Sequence, residues 1–198
     1  MPRRPDVGVE GRIVDAAYRI WSQAGEPGLT MRAVARAAGT TTPTLYQRFR
    51  DKRDLKHFLE ERARQKLYEA LQPAKTGTDA CRNALDFISS HMNEYRLLTT
   101  DWGIRYAENV PMRSYDYLKQ VLAKELGGRA ADHEELAFQL FALVHGTALL
   151  RPMENETTAQ ALRDACLKAC ATLLKAAEKK ADLKKNKRRA QEIKSKPE

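Results

Sequence analysis

The chain has 198 residues, 42% of them hydrophobic, and a formal net charge of +9. It is long enough to bury a core without disulfide or metal support. It contains no run of 18 apolar residues and no apolar segment near its N-terminus, so neither a membrane span nor a secretory signal is predicted, and a cytoplasmic protein is expected.

The positive charge lies at the two ends of the chain. Residues 1–56 hold 11 Lys and Arg against 6 Asp and Glu, and residues 175–198 hold 10 against 4. Residues 57–174 are left with a net charge of −2. A basic N-terminal region suits a polyanionic partner. A solvated face that aids solubility is the alternative.

The first 56 residues predict three helices. Residues 1–9 form a basic arm, and apolar residues at helical spacing then predict a helix from Gly11 that ends near Gly25 in "GEPG". Thr30 is a good N-cap for a second helix, Met31 to Ala38, which Gly39 ends. One of the threonines at 40–42 caps a third helix, whose first turn holds a proline.

Further helices are predicted along the rest of the chain. Asp51 is a natural N-cap for a helix from Lys52 to about Gln72. Apolar spacing predicts the others at 79–98, 102–108, 111–126, 132–150 and 158 to about 178. No segment alternates as a strand does. The predicted fold is therefore all-α, with about nine helices.

Three regions follow from this pattern. Residues 1–56 would form a three-helix head that contains a helix-turn-helix, and residues 57–178 would form a second helical domain. Residues 179–198 are so highly charged that they are either a frayed helix extension or disorder.

The segment around Gly39 predicts how the head would bind DNA. Glycine supplies the left-handed backbone that reverses the chain between two short helices. The second short helix is then free to lie in the DNA major groove. Its core residues are Leu45 and Phe49, and its exposed residues include Gln47 and Arg48.

The stretches "LTMRAVARAAG", "TTTPTLYQRF" and "RDKRDL", within residues 10–60, resemble the TetR family of bacterial transcription regulators. Thr40 departs from the family pattern, since an apolar residue, often Val, is usual there. A threonine methyl group still packs at such a position.

The resemblance implies roles for individual residues. Tyr46 and Lys52 would contact backbone phosphates, and Thr30 and Thr41 would cap helices and also touch phosphates. Gln47 would pair with adenine, and the carbon atoms of neighbouring side chains would meet thymine methyl groups. The predicted DNA-binding residues are Thr30, Arg32, Thr41, Thr42, Pro43, Thr44, Tyr46, Gln47, Arg48 and Lys52. The alternatives are a core position for Tyr46 and solvated charges for Arg32 and Arg48.

The resemblance also implies that residues 57–178 form an effector-binding and dimerisation domain. Residues 132–150 and 158–178 would form a four-helix interface with a second copy, the alternative being burial within one subunit. The centre would hold a small-molecule effector, apolar or aromatic because no counter-ion stands out. Candidate cavity residues, each equally expected as ordinary core, are Phe87, His91, Tyr95, Trp102, Tyr106, Met112, Phe141 and His145.

Other kinds of site are not indicated. Cys81, Cys166 and Cys170 suggest neither a disulfide framework nor a metal site, and the latter two are read as small residues in a helix interface. The chain has no Gly-rich phosphate loop, no G-x-S-x-G and no H-E-x-x-H, so neither an enzyme nor a cofactor is predicted.

The function that the resemblance implies is a dimeric repressor that a ligand releases from a palindromic operator. The alternative is a DNA-binding dimer without an effector, as a protein-interaction or nucleoid-type module.

Overall fold

The computed structural model describes residues 7–100, 102–108, 110–150 and 156–194. Over these residues the fold is all-α, with ten α-helices, one short 3-10 helix at Ala130–His133 and no strand, which confirms the predicted class. The helices are α1 Val7–Gly28, α2 Met31–Ala37, α3 Thr42–Tyr46, α4 Lys52–Leu71, α5 Gly77–Ser90, α6 Met92–Leu98, α7 Trp102–Ala107, α8 Arg113–Leu126, α9 Glu134–Leu150 and α10 Glu156–Lys194.

The prediction of one continuous helix over 79–98 is wrong. The backbone of His91, with φ −133° and ψ 44°, lies outside the helical region and separates α5 from α6. Just before it, the Ser89 and Ser90 hydroxyls donate to the carbonyls of Leu85 at 2.7 Å and Asp86 at 3.1 Å. Serine hydroxyls that bond to the preceding turn weaken and bend a helix, which gives the break a local cause.

Two helix ends also differ from expectation. The backbone leaves helical geometry at Gly25, where φ is 59°, as the glycine predicted, but helical structure resumes as far as Gly28. α10 continues well beyond residue 178, so the basic tail is a helix extension as far as Lys194. The terminal residues 195–198 and the N-terminal residues 1–6 lie outside the described part of the chain.

The described residues divide into two compact units. The first unit takes residues up to Lys66 together with those from His91 to Val110, and the second unit takes Leu67–Ser90 and the residues from Pro111 onwards. In the first unit, α1, α2, α3 and the start of α4 meet around Ile13 and Leu45, both completely buried. This core is the support on which α3 is held.

In the second unit, α5 and α10 cross closely. A Cβ atom at Gly77 would lie only 2.7 Å from Leu174 Cδ2, so a larger residue there would require the Leu174 side chain to shift. Nine residues further along α5, Asp86 forms an ion pair with Arg163 of α10 at 2.6 Å. These two contacts fix an antiparallel register between the helices. The three cysteines are buried, unbridged thiols, and those of Cys81 and Cys166 each interact with Cys170.

Candidate nucleic-acid interface

The turn between α2 and α3 is built around Gly39. Its φ is +64°, a left-handed conformation that side chains with a Cβ rarely adopt. A Cβ placed there would meet no heavy atom within 4 Å, so the backbone angle, not a lack of space, requires glycine. The amide of Thr40 then donates to the carbonyl of Ala35 at 2.9 Å and closes the end of α2.

Threonine hydroxyls begin both short helices. Thr30 Oγ1 accepts a hydrogen bond from the amide of Ala33 at 3.2 Å, and Thr41 Oγ1 accepts one from the amide of Thr44 at 3.3 Å. The sequence left residues 40–42 open as caps of α3, and Thr41 is the one used. Pro43 lies in the first turn, where its missing N–H costs nothing.

The side chains of α3 separate clearly into two sets. Leu45 is completely buried, whereas Tyr46 is 53% exposed and Gln47 is also exposed. Tyr46 is therefore not a core residue, and that alternative is wrong. Of the remaining predicted contacts, Thr30, Arg32, Thr41 and Pro43 are exposed, and Thr42, Thr44, Arg48 and Lys52 are half-buried. Each has surface available, and their roles on DNA stay predictions.

Lys52 is held at the start of α4 by a contact that sequence reasoning missed. Its Nζ donates to the backbone carbonyl of Glu26 at 2.6 Å, and the Glu26 carboxylate pairs with Lys56 Nζ at 2.8 Å. The hydrogen bond from Lys56 and its positive charge lower the pKa of Glu26. Because an ammonium group has three donors, Lys52 keeps two for another acceptor. Glu26 stands in "GEPG", which the sequence marks only as a helix breaker.

Three further arginines belong to the same segment. Arg36, Arg50 and Arg53 are exposed, and sequence reasoning did not single them out. Arg50 Nε lies 3.7 Å from Asp51 Oδ2, a contact that exposed groups make weakly. Their positive charge was the available signal, and it favours an anionic partner for this region without selecting any base sequence.

The eight residues predicted for a ligand cavity fall in both units. His91, Tyr95, Trp102 and Tyr106 belong to the first unit, where the rings of Trp102 and Tyr106 stack with centroids 5.4 Å apart. Phe87, Met112, Phe141 and His145 belong to the second unit, where the rings of Phe141 and His145 stack at the same separation. Burial lowers the pKa of His145, which favours its neutral form. Their role in binding a ligand stays a prediction.

The second unit contains a cleft of about 340 Å³ between α5, α9 and α10. The Asp86–Arg163 ion pair lies in its wall, with the side chains of Ser89, Thr147 and Gln160 nearby. None of the eight predicted cavity residues lines this cleft.

A second, shallower groove of about 620 Å³ lies along α9 and α10. Its wall is mainly apolar, with Phe138, Ala142 and Leu143 from α9 and Ala169 and Leu173 from α10. Phe138 is 41% exposed. The groove is formed by the two helices predicted for the dimer interface.

Over the described residues, no helix is long and apolar enough to cross a membrane.

Comparison with known proteins places the short helices in a family. Residues 13–57 match the family model for bacterial regulatory proteins of the tetR family. This stretch includes α2, α3 and the residues that carry the resemblance. Comparison with curated protein sequences gives no match.

Solved structures extend the likeness to most of the chain. A TetR-like transcriptional regulator from Rhodococcus sp. RHA1 is similar with a TM-score of 0.65 and 21% identity, over 87% of this chain and 96% of that one. A proposed regulator from Streptomyces coelicolor, SCO4942, gives 0.57 and 26%, over 83% and 97%. The TetR family regulator PfmR from Thermus thermophilus gives 0.57 and 16%, over 79% and 97%. Residues 13–57 thus match the tetR-family model, and the chain has the fold of solved TetR-family transcriptional regulators.

Proposed function

We propose that the protein is a cytoplasmic, ligand-responsive repressor that binds a palindromic operator as a homodimer. The observation that carries the proposal is the two-sided character of α3. Leu45 anchors the helix in the core of the first unit while Tyr46 and Gln47 point outwards. A short helix that is anchored through its buried face and polar on its exposed face is suited to the major groove of DNA.

The exposed residues divide by chemistry into two groups. Tyr46, Lys52 and the capping threonines Thr30 and Thr41 carry hydroxyl and ammonium donors suited to phosphate oxygens, which position the protein on DNA. Gln47 is a donor and an acceptor on one rigid amide, the pattern that pairs with adenine in the major groove. The side chains of Thr42, Pro43 and Thr44 offer carbon atoms for thymine methyl groups, and Arg32 and Arg48 reach guanine or phosphate.

The groove along α9 and α10 supports the proposal of a dimer. Exposed apolar surface of this kind marks an interaction site on a protein. A second copy that presents the same two helices across a two-fold axis would cover Phe138 and Leu173 on both subunits. Two heads would then read two half-sites of one operator, which doubles the site and strengthens binding.

Repression would end when an effector binds. An effector shifts a two-state equilibrium only as far as its affinities for the two states differ. We expect an apolar or aromatic molecule that favours a dimer unable to match the operator spacing. Titration of candidate aromatics should change the fluorescence of Trp102, and no change across a broad panel would count against this part.

A single selection experiment tests the proposal as a whole. Fragments of genomic DNA bound by the protein are selected with and without metabolite extract, and a shared palindrome that the extract releases is expected. Bound fragments that share no palindrome would contradict operator recognition. A palindrome that no extract releases would favour the effector-free DNA-binding dimer, the second candidate function.

Point variants of α3 test the division of roles. Gln47→Ala should relax the preference at one base pair by roughly 1–3 kcal/mol. Tyr46→Phe and Lys52→Ala should instead weaken binding to every sequence about equally. A Gln47→Ala variant that binds every sequence equally less well would show that Gln47 does not read a base.

The dimer is tested by charge. Phe138→Glu places a carboxylate in the apolar groove and should shift the protein towards monomer in sedimentation at micromolar concentration. Ile104→Glu is the matched control, because Ile104 is 61% exposed on α7 in the first unit. An unchanged dimer in Phe138→Glu would place the interface elsewhere.

A further inference from the structure

The last part of α10 carries no buried side chain among those that the structure describes. Leu174 is the last buried residue of α10 among those whose side chains the structure describes, and the helix continues to Lys194. Over 175–183 and at 185 and 186, the side chains are exposed or half-exposed. We call residues 179–194 the basic helix. At 1.5 Å per residue it is about 24 Å long.

The basic helix carries a dense positive charge. It holds eight Lys and Arg against two acidic residues, Asp182 and Glu192. Like charges recur four residues apart, as at Lys180 and Lys184 and at Lys185 and Arg189. Such pairs destabilise an isolated helix by a few tenths of a kcal/mol each, so a bound polyanion would stabilise this one.

We propose that the basic helix binds the phosphate backbone of duplex DNA without regard to sequence, as a second DNA-binding surface apart from α2 and α3. Duplex DNA offers about one negative charge per 1.7 Å of its axis, so about 14 phosphates lie along 24 Å. Lysine and arginine reach phosphate oxygens from a flexible stem, and such contacts need no particular base.

The residue composition favours DNA over an anionic membrane. A helix that lies in a lipid surface needs a broad apolar face. The basic helix has only Leu183 and Ile193 as large apolar residues in its sequence, and cations follow its whole circumference at about 100° per residue. The basic helix therefore suits a polyanion that is bound through charge and not through an apolar face.

The expected effect follows from the number of contacts. At 100° per residue, the eight cationic positions average four to each half of the helix circumference, so about four phosphate contacts are expected. At about 0.9 per contact, the slope of log affinity against log salt steepens by about 3.6. Raising the salt from 50 to 200 mM would then reduce the factor that the basic helix contributes to the binding constant by roughly 100-fold.

The test uses the full chain and a 30-base-pair duplex of arbitrary sequence, with binding followed by fluorescence anisotropy from 50 to 200 mM KCl. One variant replaces all eight cations of the basic helix with glutamine, a good helix former. Its salt slope should be shallower by about 3 to 4. An unchanged slope would overturn the proposal. Because no described side chain beyond Leu174 is buried, the variant should melt at the wild-type temperature.

A matched pair of variants separates this surface from net charge. Lys180→Gln with Lys185→Gln removes two charges from the basic helix and should reduce the slope by about 1. Lys75→Gln with Lys124→Gln removes two exposed charges elsewhere in the second unit and should leave the slope unchanged. Equal effects from the two pairs would show a general charge effect and overturn the proposal.

Two further measurements decide the partner and keep this proposal apart from operator recognition. Gln47→Ala should relax operator preference and, because it removes no charge, retain the salt-dependent contribution of the basic helix. Vesicles with 25% phosphatidylserine should bind the protein more weakly than the duplex does. Tighter binding to the vesicles, reduced by the eightfold variant, would assign the basic helix to lipid surfaces instead.

Discussion

Replacement of Gly39 by alanine isolates the conformational requirement of the turn. A residue with a Cβ costs about 1–2 kcal/mol in a left-handed conformation. Alanine returns about 0.4–1 kcal/mol because it restricts the unfolded chain. An added Cβ meets nothing within 4 Å, so no steric cost is added. The net expectation for Gly39→Ala is a loss of about 1 kcal/mol in the free energy of unfolding.

Gly11→Ala is the matched control. Gly11 also has nothing within 4 Å of an added Cβ, but it lies inside α1 and has no positive φ. In a helix interior, alanine should stabilise by roughly 0.5–1 kcal/mol. The two substitutions make the same chemical change in equally open space, so their opposite signs depend on the backbone angle alone.

Thermal denaturation followed by tryptophan fluorescence measures both variants. The two tryptophans of the chain, Trp21 and Trp102, belong to the first unit, so the signal follows the unit that contains the turn. The melting temperature should fall by about 2–4 °C in Gly39→Ala and rise in Gly11→Ala. Shifts of the same sign would refute the reasoning, because space and helix propensity would then explain the data.

Three further predictions concern packing and titration. Tyr18→Phe removes a buried hydroxyl that donates to the Leu59 carbonyl at 2.7 Å and should cost about 1 kcal/mol in urea denaturation; unchanged stability would contradict this. The hydrogen bond from Lys119 lowers the pKa of Glu134. The contribution of this partly exposed pair to stability, under about 1 kcal/mol, should be present above the usual glutamate pKa of 4.5 and fade as the pH falls. The difference in stability between wild type and Glu134→Gln should therefore shrink from pH 7 to pH 3, and a constant difference would refute it. The hydrogen bond with Cys170 and burial raise the pKa of Cys166, so iodoacetamide at pH 8 should label this thiol only on unfolding, and rapid labelling of the folded protein would refute that.

The helix-turn-helix could be predicted because its signals are local. Thr30 caps a helix that begins one residue later, and Gly39 marks the position between the two short helices that needs a left-handed backbone. Leu45 repeats the helical spacing that leads into the core. Each of these signals lies within a few residues of the structure that it specifies, so no knowledge of the tertiary fold was needed.

Features that lack a marker residue or join distant parts of the chain were not predicted. The break at His91 has a local cause, the hydroxyls of Ser89 and Ser90, but no glycine or proline marks it. The bond from Lys52 to Glu26 joins residues 26 positions apart. The thiols of Cys81 and Cys170 meet across α5 and α10 although they lie 89 positions apart in the sequence. The apolar periodicity predicts each helix separately but does not determine how the helices align with one another.

The contact between Lys52 and the Glu26 carbonyl bears on how readily DNA is engaged. A lysine side chain that is free in solvent has about 2 kcal/mol of rotamer entropy to lose when it is fixed. Here the 2.6 Å bond restrains the chain as the protein folds, and the ammonium group keeps donors to spare. In the proposed role of Lys52 as a phosphate contact, binding of a duplex would require little reordering of this side chain, which is a form of preorganisation.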